Sequence, residues 1–246
     1  MAKLAKGAVA LVTGGTSGIG LALVEALHTR GLSVRFCARD AKAVSELERR
    51  LPGSRGYVCD VTKPQALADM AAAIGAADGR LDLLVANVGR LHEPDFTKAP
   101  VEEADICREI ELNLTAPVLT VNRFLPLLRT SKDPHIVMVG SGFGWSPSRR
   151  APLYSAAKAG IRSFVKSLRA QLAPAGVHVM EVVPPTVDTP AVAHLAGPKL
   201  PSAVVARITI EGLEARRDAV FPGHACAIPI MLRIAPSVVE RATLAR

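Results

Sequence analysis

Aromatic residues are scarce in this chain of 246 residues, with six Phe, two Tyr and one Trp, and no run of basic residues is interleaved with them. That combination argues against nucleic-acid binding, which needs stacking platforms along a cationic track. Acidic residues are in deficit: 30 Lys and Arg against 22 Asp and Glu leave a formal charge of +8. The excess is scattered apart from small pairs such as Arg149-Arg150 and Arg216-Arg217, which suits a compact phosphorylated ligand better than a polyanion. The four cysteines, Cys37, Cys59, Cys107 and Cys226, form no C-x-x-C pair and have no metal-ligand spacing with histidines. A disulfide framework and a zinc or other metal site are excluded on that pattern, and the cysteines read as reduced thiols of a cytoplasmic protein. Long apolar runs are also missing. The run from Ala8 to Val12 is too short for a signal sequence, so no export signal and no transmembrane span is expected. No long linker interrupts the chain, which reads as one domain over residues 1–246.

What is present is alternation. Residues 8–12, Ala-Val-Ala-Leu-Val, make a strand buried on both faces. The turn Thr13-Gly14-Gly15-Thr16-Ser17-Gly18-Ile19-Gly20 follows, and a helical pattern runs through Leu23, Val24 and Leu27 to a stop at Gly31. Strand, glycine turn and helix in that order aim backbone N–H groups and a helix N-terminus at a phosphate, with Gly14, Gly18 and Gly20 clearing the approach. The second strand, 33–38, ends in Arg39-Asp40. Such a strand end meets the adenosine ribose, where a carboxylate selects a free 2′-hydroxyl and an arginine accommodates a 2′-phosphate. Ala38 stands where the selecting acid is sought and Arg39 follows it, so NADP(H) is the preferred cofactor and NAD(H) the alternative through Asp40.

A third strand at 55–59 closes on Asp60-Val61-Thr62 before Pro64 opens a helix. Asp60 is a helix cap, a contact to the adenine amino group, or both. The fourth strand, 81–86, gives way to Asn87-Val88-Gly89, a turn suited to a bound cofactor and equally to an ordinary bend. A long helical stretch from Val101 to Leu128 holds Asn113 one turn before Pro117, so a kink is expected there, with freed backbone groups able to order a water. Ser141 stands just past the fifth strand, 136–139. Tyr154 and Lys158, at i and i+4 on the helix 152–173, share a face, and an ammonium beside a phenol favours the phenolate. Core packing for Tyr154 and a solvated position for Lys158 are the plain alternative.

The sixth strand, 177–183, completes a Rossmann-like, doubly wound parallel α/β sheet of six to seven strands with helices on both faces, whose ligands sit beyond the carboxyl ends of the strands. Past it come Pro184-Pro185-Thr186-Val187-Asp188-Thr189, a lid expected at about 186–217, a seventh strand near Ala219–Phe221 and an apolar segment to residue 246. That segment could cover the pocket, pack on a second copy or rest on a membrane surface. Arg149 and Arg150 flank the expected pocket mouth, either solvated or attracting an anionic substrate.

With these motifs in order, the chain resembles the short-chain dehydrogenase/reductase family, in its compact single-domain branch, over nearly its whole length. The resemblance implies that Asn113, Ser141, Tyr154 and Lys158 are catalytic. It implies further that Gly14, Thr16, Ser17, Gly18, Ile19, Gly20, Arg39, Asp60, Val61, Asn87, Gly89, Tyr154, Lys158, Pro184, Val187 and Thr189 hold the cofactor. The activity implied is an NADPH-dependent carbonyl reductase, reversible as an alcohol dehydrogenase, acting on a small carbonyl or alcohol as a homodimer or homotetramer through the helices around 112–128 and 152–173. The rival reading is a non-catalytic NADP(H)-sensing regulator. Two departures stand out: Pro185 replaces the family's usual glycine, and Phe221-Pro222-Gly223-His224 replaces its glycine-aspartate-glycine pattern. The substrate, direction and stereochemistry are not implied.

Overall fold

The computed structural model describes residues 4–245. Strand β1 (Val9–Thr13) is buried at every position, as its unbroken apolar run requires. It leads into α1 (Gly18–Thr29), β2 (Ser33–Ala38), α2 (Ala41–Arg50), β3 (Arg55–Val58), α3 (Pro64–Asp78) and β4 (Leu83–Ala86). The second half carries α4 (Glu103–Ile110), a π-helical turn (Glu111–Thr115), α5 (Ala116–Leu128), β5 (His135–Val139), α6 (Pro152–Leu172) and β6 (His178–Val182). The short strands β7 (Val187–Asp188) and β8 (Leu200–Pro201) precede α7 (Ser202–Glu214), β9 (Ala219–Val220), α8 (Ile228–Ile234) and α9 (Pro236–Leu244).

Seven strands form one parallel sheet in the order β3-β2-β1-β4-β5-β6-β9. Side-chain alternation divides the core. Leu11, Ile136 and Val179 face the helices α3, α5 and α6, whereas Val12, Val137 and Met180 face α1 and α7. The chain walks outward from β1 to β3 and returns to β4, so the crevice between the carboxyl ends of β1 and β4 is the topological switch point. Thr13 staples it. Its Oγ1 donates to the Val85 carbonyl at 3.3 Å and accepts the Asn87 N–H at 3.0 Å, while Asn87 Nδ2 donates to the Thr13 carbonyl at 3.0 Å.

Three sequence expectations change. The helix expected from Val101 to Leu128 is broken near Asn113, as Pro117 suggested, but the break is a π-helical turn with Pro117 in the first turn of α5. The lid is shorter than 186–217, because α7 is a core helix: Val205, Ala206, Ile210 and Leu213 pack with Leu23, Val24 and Leu27. What is left of the expected lid is the segment between β7 and β8, with a 3₁₀ turn at Pro190–Val192. The apolar C-terminal segment splits its faces, with Ile228 and Val239 turned to the pocket and Ile230, Met231, Ile234 and Val238 exposed.

Candidate active site

The glycine turn folds back on itself so tightly that a Cβ at Gly20 would collide with the Gly14 carbonyl oxygen, and Gly14 and Gly18 adopt φ of 66° and 53°. Ser17 caps α1 without a side-chain bond, leaving the first N–H groups of the helix directed at the crevice. A Cβ on Gly18 would lie 2.8 Å from Thr189 Cγ2. The start of the lid therefore rests on the turn. A cavity of about 910 Å³ runs from here across the sheet edge.

At one end of the cavity stand Arg39, Asp40, Asp60 and Val61. Asp40 is committed elsewhere, because its Oδ1 accepts the N–H groups of Lys42 at 2.8 Å and Ala43 at 3.2 Å as the N-cap of α2. Arg39 is exposed at the cavity wall. Asp60 does not cap α3, whose N-cap is Lys63. It closes a local turn by accepting from Thr62 N at 3.0 Å and Thr62 Oγ1 at 2.8 Å. Partial burial works against its charge, but these bonds hold its carboxyl below the usual range.

At the other end Ser141, Tyr154 and Lys158 converge. Ser141 follows β5, its Oγ accepting the Phe143 N–H at 3.2 Å as the cap of a 3₁₀ turn. Tyr154 and Lys158 project from the same face of α6, with Lys158 Nζ 5.6 Å from the Tyr154 ring centroid and donating to the Val139 carbonyl at 2.8 Å. Asn113 is fully buried behind them. Its Oδ1 accepts the Arg90 N–H at 2.9 Å, and Nδ2 lies 3.0–3.1 Å from the carbonyls of Arg90 and Glu109 and from Glu109 Oε1. The side chain keeps one lone pair of Oδ1 for anything further. A Cβ on Gly89 would lie 3.0 Å from that oxygen and 3.2 Å from Lys158 Nζ, so a side chain there would crowd both groups.

Electrostatics revise one expectation. Burial pushes the Tyr154 phenol up to about 12, offset in part by its hydrogen bond to Ser141, and Lys158 is not the group that offsets it. Burial also brings the Lys158 ammonium down to about 8, with Glu181 and Glu109 opposing the fall. Each shift is toward the neutral form, although Lys158 remains mainly an ammonium below about pH 8.

Every candidate site residue lines the cavity except Gly20, which shapes the turn, and Asn113, which stands behind Gly89. Of the apolar wall, Ile228 and Val239 belong to the C-terminal segment for which covering the pocket was one expectation, whereas sequence reasoning missed Leu91, Leu112, Phe143 and Leu195. These are ordinary apolar residues with no chemical signature, drawn together by loops and the C-terminal helices. Of the two arginines expected at the mouth, Arg149 is exposed and does not line the cavity, whereas Arg150 lines it and pairs with Glu93, its Nη2 lying 3.1 Å from Glu93 Oε2. That carboxylate also lies 3.7 Å from His194 Nε2 in the lid. Among the described residues no group of three acidic, His or Cys side chains could hold a metal ion, and no helix is long and apolar enough to cross a membrane.

The sequence pattern of a short chain dehydrogenase matches residues 8–198. An uncharacterised oxidoreductase of Bacillus subtilis, DltE, is 38% identical over 182 residues, covering 73% of this chain and 71% of its own length. A short chain dehydrogenase from Burkholderia cenocepacia, solved in complex with NADP, superposes with a TM-score of 0.87 at 26% identity, covering 97% of this chain and 98% of its own. An actinorhodin polyketide ketoreductase with NADPH gives a TM-score of 0.78 at 26% identity, over 86% of this chain and 94% of its own.

Proposed function

The chain belongs to the short-chain dehydrogenase family of oxidoreductases, and from that premise we propose that it is an NADPH-dependent carbonyl reductase, reversible as an alcohol dehydrogenase. The observation that carries the reading is the meeting of Ser141, Tyr154 and Lys158 in the same cavity as the glycine cradle. The cradle fits a dinucleotide: Gly14, Thr16, Ser17, Gly18 and Ile19 offer backbone N–H groups and a helix N-terminus to a pyrophosphate, with Gly20 keeping the turn closed. Asp60, Val61, Asn87 and Gly89 would border the adenosine and its ribose. Pro184, Val187 and Thr189 would border the nicotinamide end, where the bound cofactor supplies the hydride.

Arg39 favours a 2′-phosphate, because the neighbouring carboxylate that would select a 2′-hydroxyl is held by one of its oxygens as the cap of α2. At the reacting carbon, Ser141 donates a hydrogen bond to the carbonyl oxygen and orients it. Tyr154 gives that oxygen its proton, which a phenol pushed up to about 12 carries at every physiological pH. Lys158 stabilises the phenolate left behind and would hold the nicotinamide ribose hydroxyls. Asn113 fixes the floor beneath Lys158 through Arg90 and Glu109. The apolar wall, together with an Arg150 already neutralised by Glu93, favours an uncharged, largely apolar carbonyl.

A panel of ketones and aldehydes run with NADPH and with NADH, on the wild type and on Arg39→Ala, tests this reading. Turnover of apolar ketones with NADPH is expected, and Arg39→Ala should raise KM for NADPH at least tenfold while leaving that for NADH within twofold. No NADPH oxidation with any carbonyl, beside tight NADPH binding, would turn the reading to a cofactor-sensing regulator.

A further inference from the structure

Past its first residue, His178, strand β6 is apolar on both faces except at Glu181, which is 3% exposed. Burying a carboxylate costs several kcal/mol unless partners repay it, and among the described residues no cation lies within ion-pairing distance of this one. Alternation along β6 sends its side chain toward α6, the helix of Tyr154 and Lys158, as it does for Val179 on the same strand.

Three consecutive residues at the end of β5 relate it to the site. Val139 offers its carbonyl to Lys158 Nζ at 2.8 Å. Gly140 comes next, and a Cβ there would lie 2.5 Å from Glu181 Oε1, so the carboxylate rests directly on that backbone. Ser141 is the third. On its other side, Glu181 Oε1 accepts the indole N–H of Trp145 at 3.4 Å. Trp145 stands in the loop that carries Ser141, packed edge-on against Phe221 at 5.0 Å and under the Arg162 guanidinium at 3.6 Å.

We infer that Glu181 is a positioning residue of the reaction: its oxygen anchors the Trp145 loop that presents Ser141, and its buried charge, seated on Gly140 next to the Val139 carbonyl that holds Lys158, favours the Lys158 ammonium from beyond pairing distance. This rests on the carbonyl-reductase reading for its kinetic consequence, although not for its structural one. The groups that face Glu181 are Lys158, Arg162, Lys166 and Arg169 of α6 and Trp145 of the loop, while its N–H donates to the Asp218 carbonyl beside β9. Lys158 is faced from α4 by Glu109 as well. Burial raises the Glu181 carboxyl above its ordinary range, with the Trp145 bond and the α6 cations opposing, so that its loss of charge on acidification falls closer to neutrality than for a free glutamate.

Glu181→Gln separates charge from anchoring, because the amide oxygen can still accept from Trp145. If the residue only anchors the loop, the variant behaves as wild type. If its charge holds Lys158, the alkaline limb of kcat/KM moves to lower pH by about one unit and kcat at pH 7.5 falls several-fold, with the Kd for NADPH within twofold. A readout independent of turnover comes from Trp145, which is the only tryptophan of the chain. Its emission in the wild type should show one pH-dependent step on the acid side that is absent from Glu181→Gln. This titration of the unaltered protein stands even if the variant folds poorly or no carbonyl is reduced. An unshifted alkaline limb in a folded Glu181→Gln, or an emission flat with pH in the wild type, would overturn the inference.

Discussion

Lys158 is stripped of water but keeps the Val139 carbonyl at 2.8 Å and two buried carboxylates around it. Desolvation dominates, and its ammonium gives up its proton near pH 8. In the proposed reaction protonated Lys158 supports the departing phenolate, which fixes the sign of the effect: kcat/KM for NADPH in carbonyl reduction, which reports ionisations of the cofactor-free enzyme, should be level below pH 8 and fall about tenfold per unit above it. A profile level to pH 10 would remove Lys158 from the step. Tyr154, pushed up to about 12, adds no limb of its own in that range. These two residues were legible in the sequence because their i, i+4 spacing survives folding intact. The partners that tune them were not. Glu181 and Glu109 lie on separate elements, and nothing in a linear pattern says that a glutamate inside an apolar run will face a particular lysine. The same holds for Asp40, whose choice between a ribose and the first turn of α2 is decided by a cap geometry that only coordinates display.

The π-helical turn between α4 and α5 is the element that sets the floor of the site. Proline near Asn113 announced a break in the helix, yet the extra residue per turn arises from where Asn113 must point. Its side chain replaces backbone partners for both the N–H and the carbonyl of Arg90, which lies in the loop after Gly89. Asn113→Ala would leave those groups and Glu109 without their bonds inside the protein, at about 1–3 kcal/mol for each unsatisfied group. For a chain of this size a loss near 2 kcal/mol lowers Tm by roughly 4–8 °C, and a melting curve within 1 °C of wild type would contradict that role. The α7 helix shows the opposite failure of sequence reading. The Gly- and Pro-punctuated segment before it carried the expected lid on through residue 217, but the Val205, Ala206, Ile210 and Leu213 stripe of α7 is the one that seals α1. Periodicity gives a helix its apolar face, and does not say which neighbour that face will meet.

At the scale of the molecule, the parallel sheet delivers both halves of the chemistry to one edge. The glycine turn after β1, Asn87 after β4, Ser141 after β5 and Pro184 after β6 all stand at carboxyl ends, and α6 carries Tyr154 and Lys158 back to the same place. That the sheet is parallel and doubly wound was readable from the alternation of apolar runs and helices; right-handed crossovers leave few arrangements, and the structure supplies the order. The substrate end was readable only in part: covering the pocket was one of three alternatives for the apolar C-terminal segment, but Ile228, Val239 and Thr243 carry no motif that chooses among them. The central claim is that this edge performs hydride transfer with Tyr154 as the proton donor. It is tested most directly by measuring NADPH oxidation with an accepted ketone alongside NADPH affinity, in the wild type and in Tyr154→Phe. Loss of the hydroxyl should lower kcat by at least about 10²-fold, within the range usual for general acid catalysis, while Kd for NADPH changes by less than threefold. A Tyr154→Phe enzyme that turns over at the wild-type rate would contradict the account.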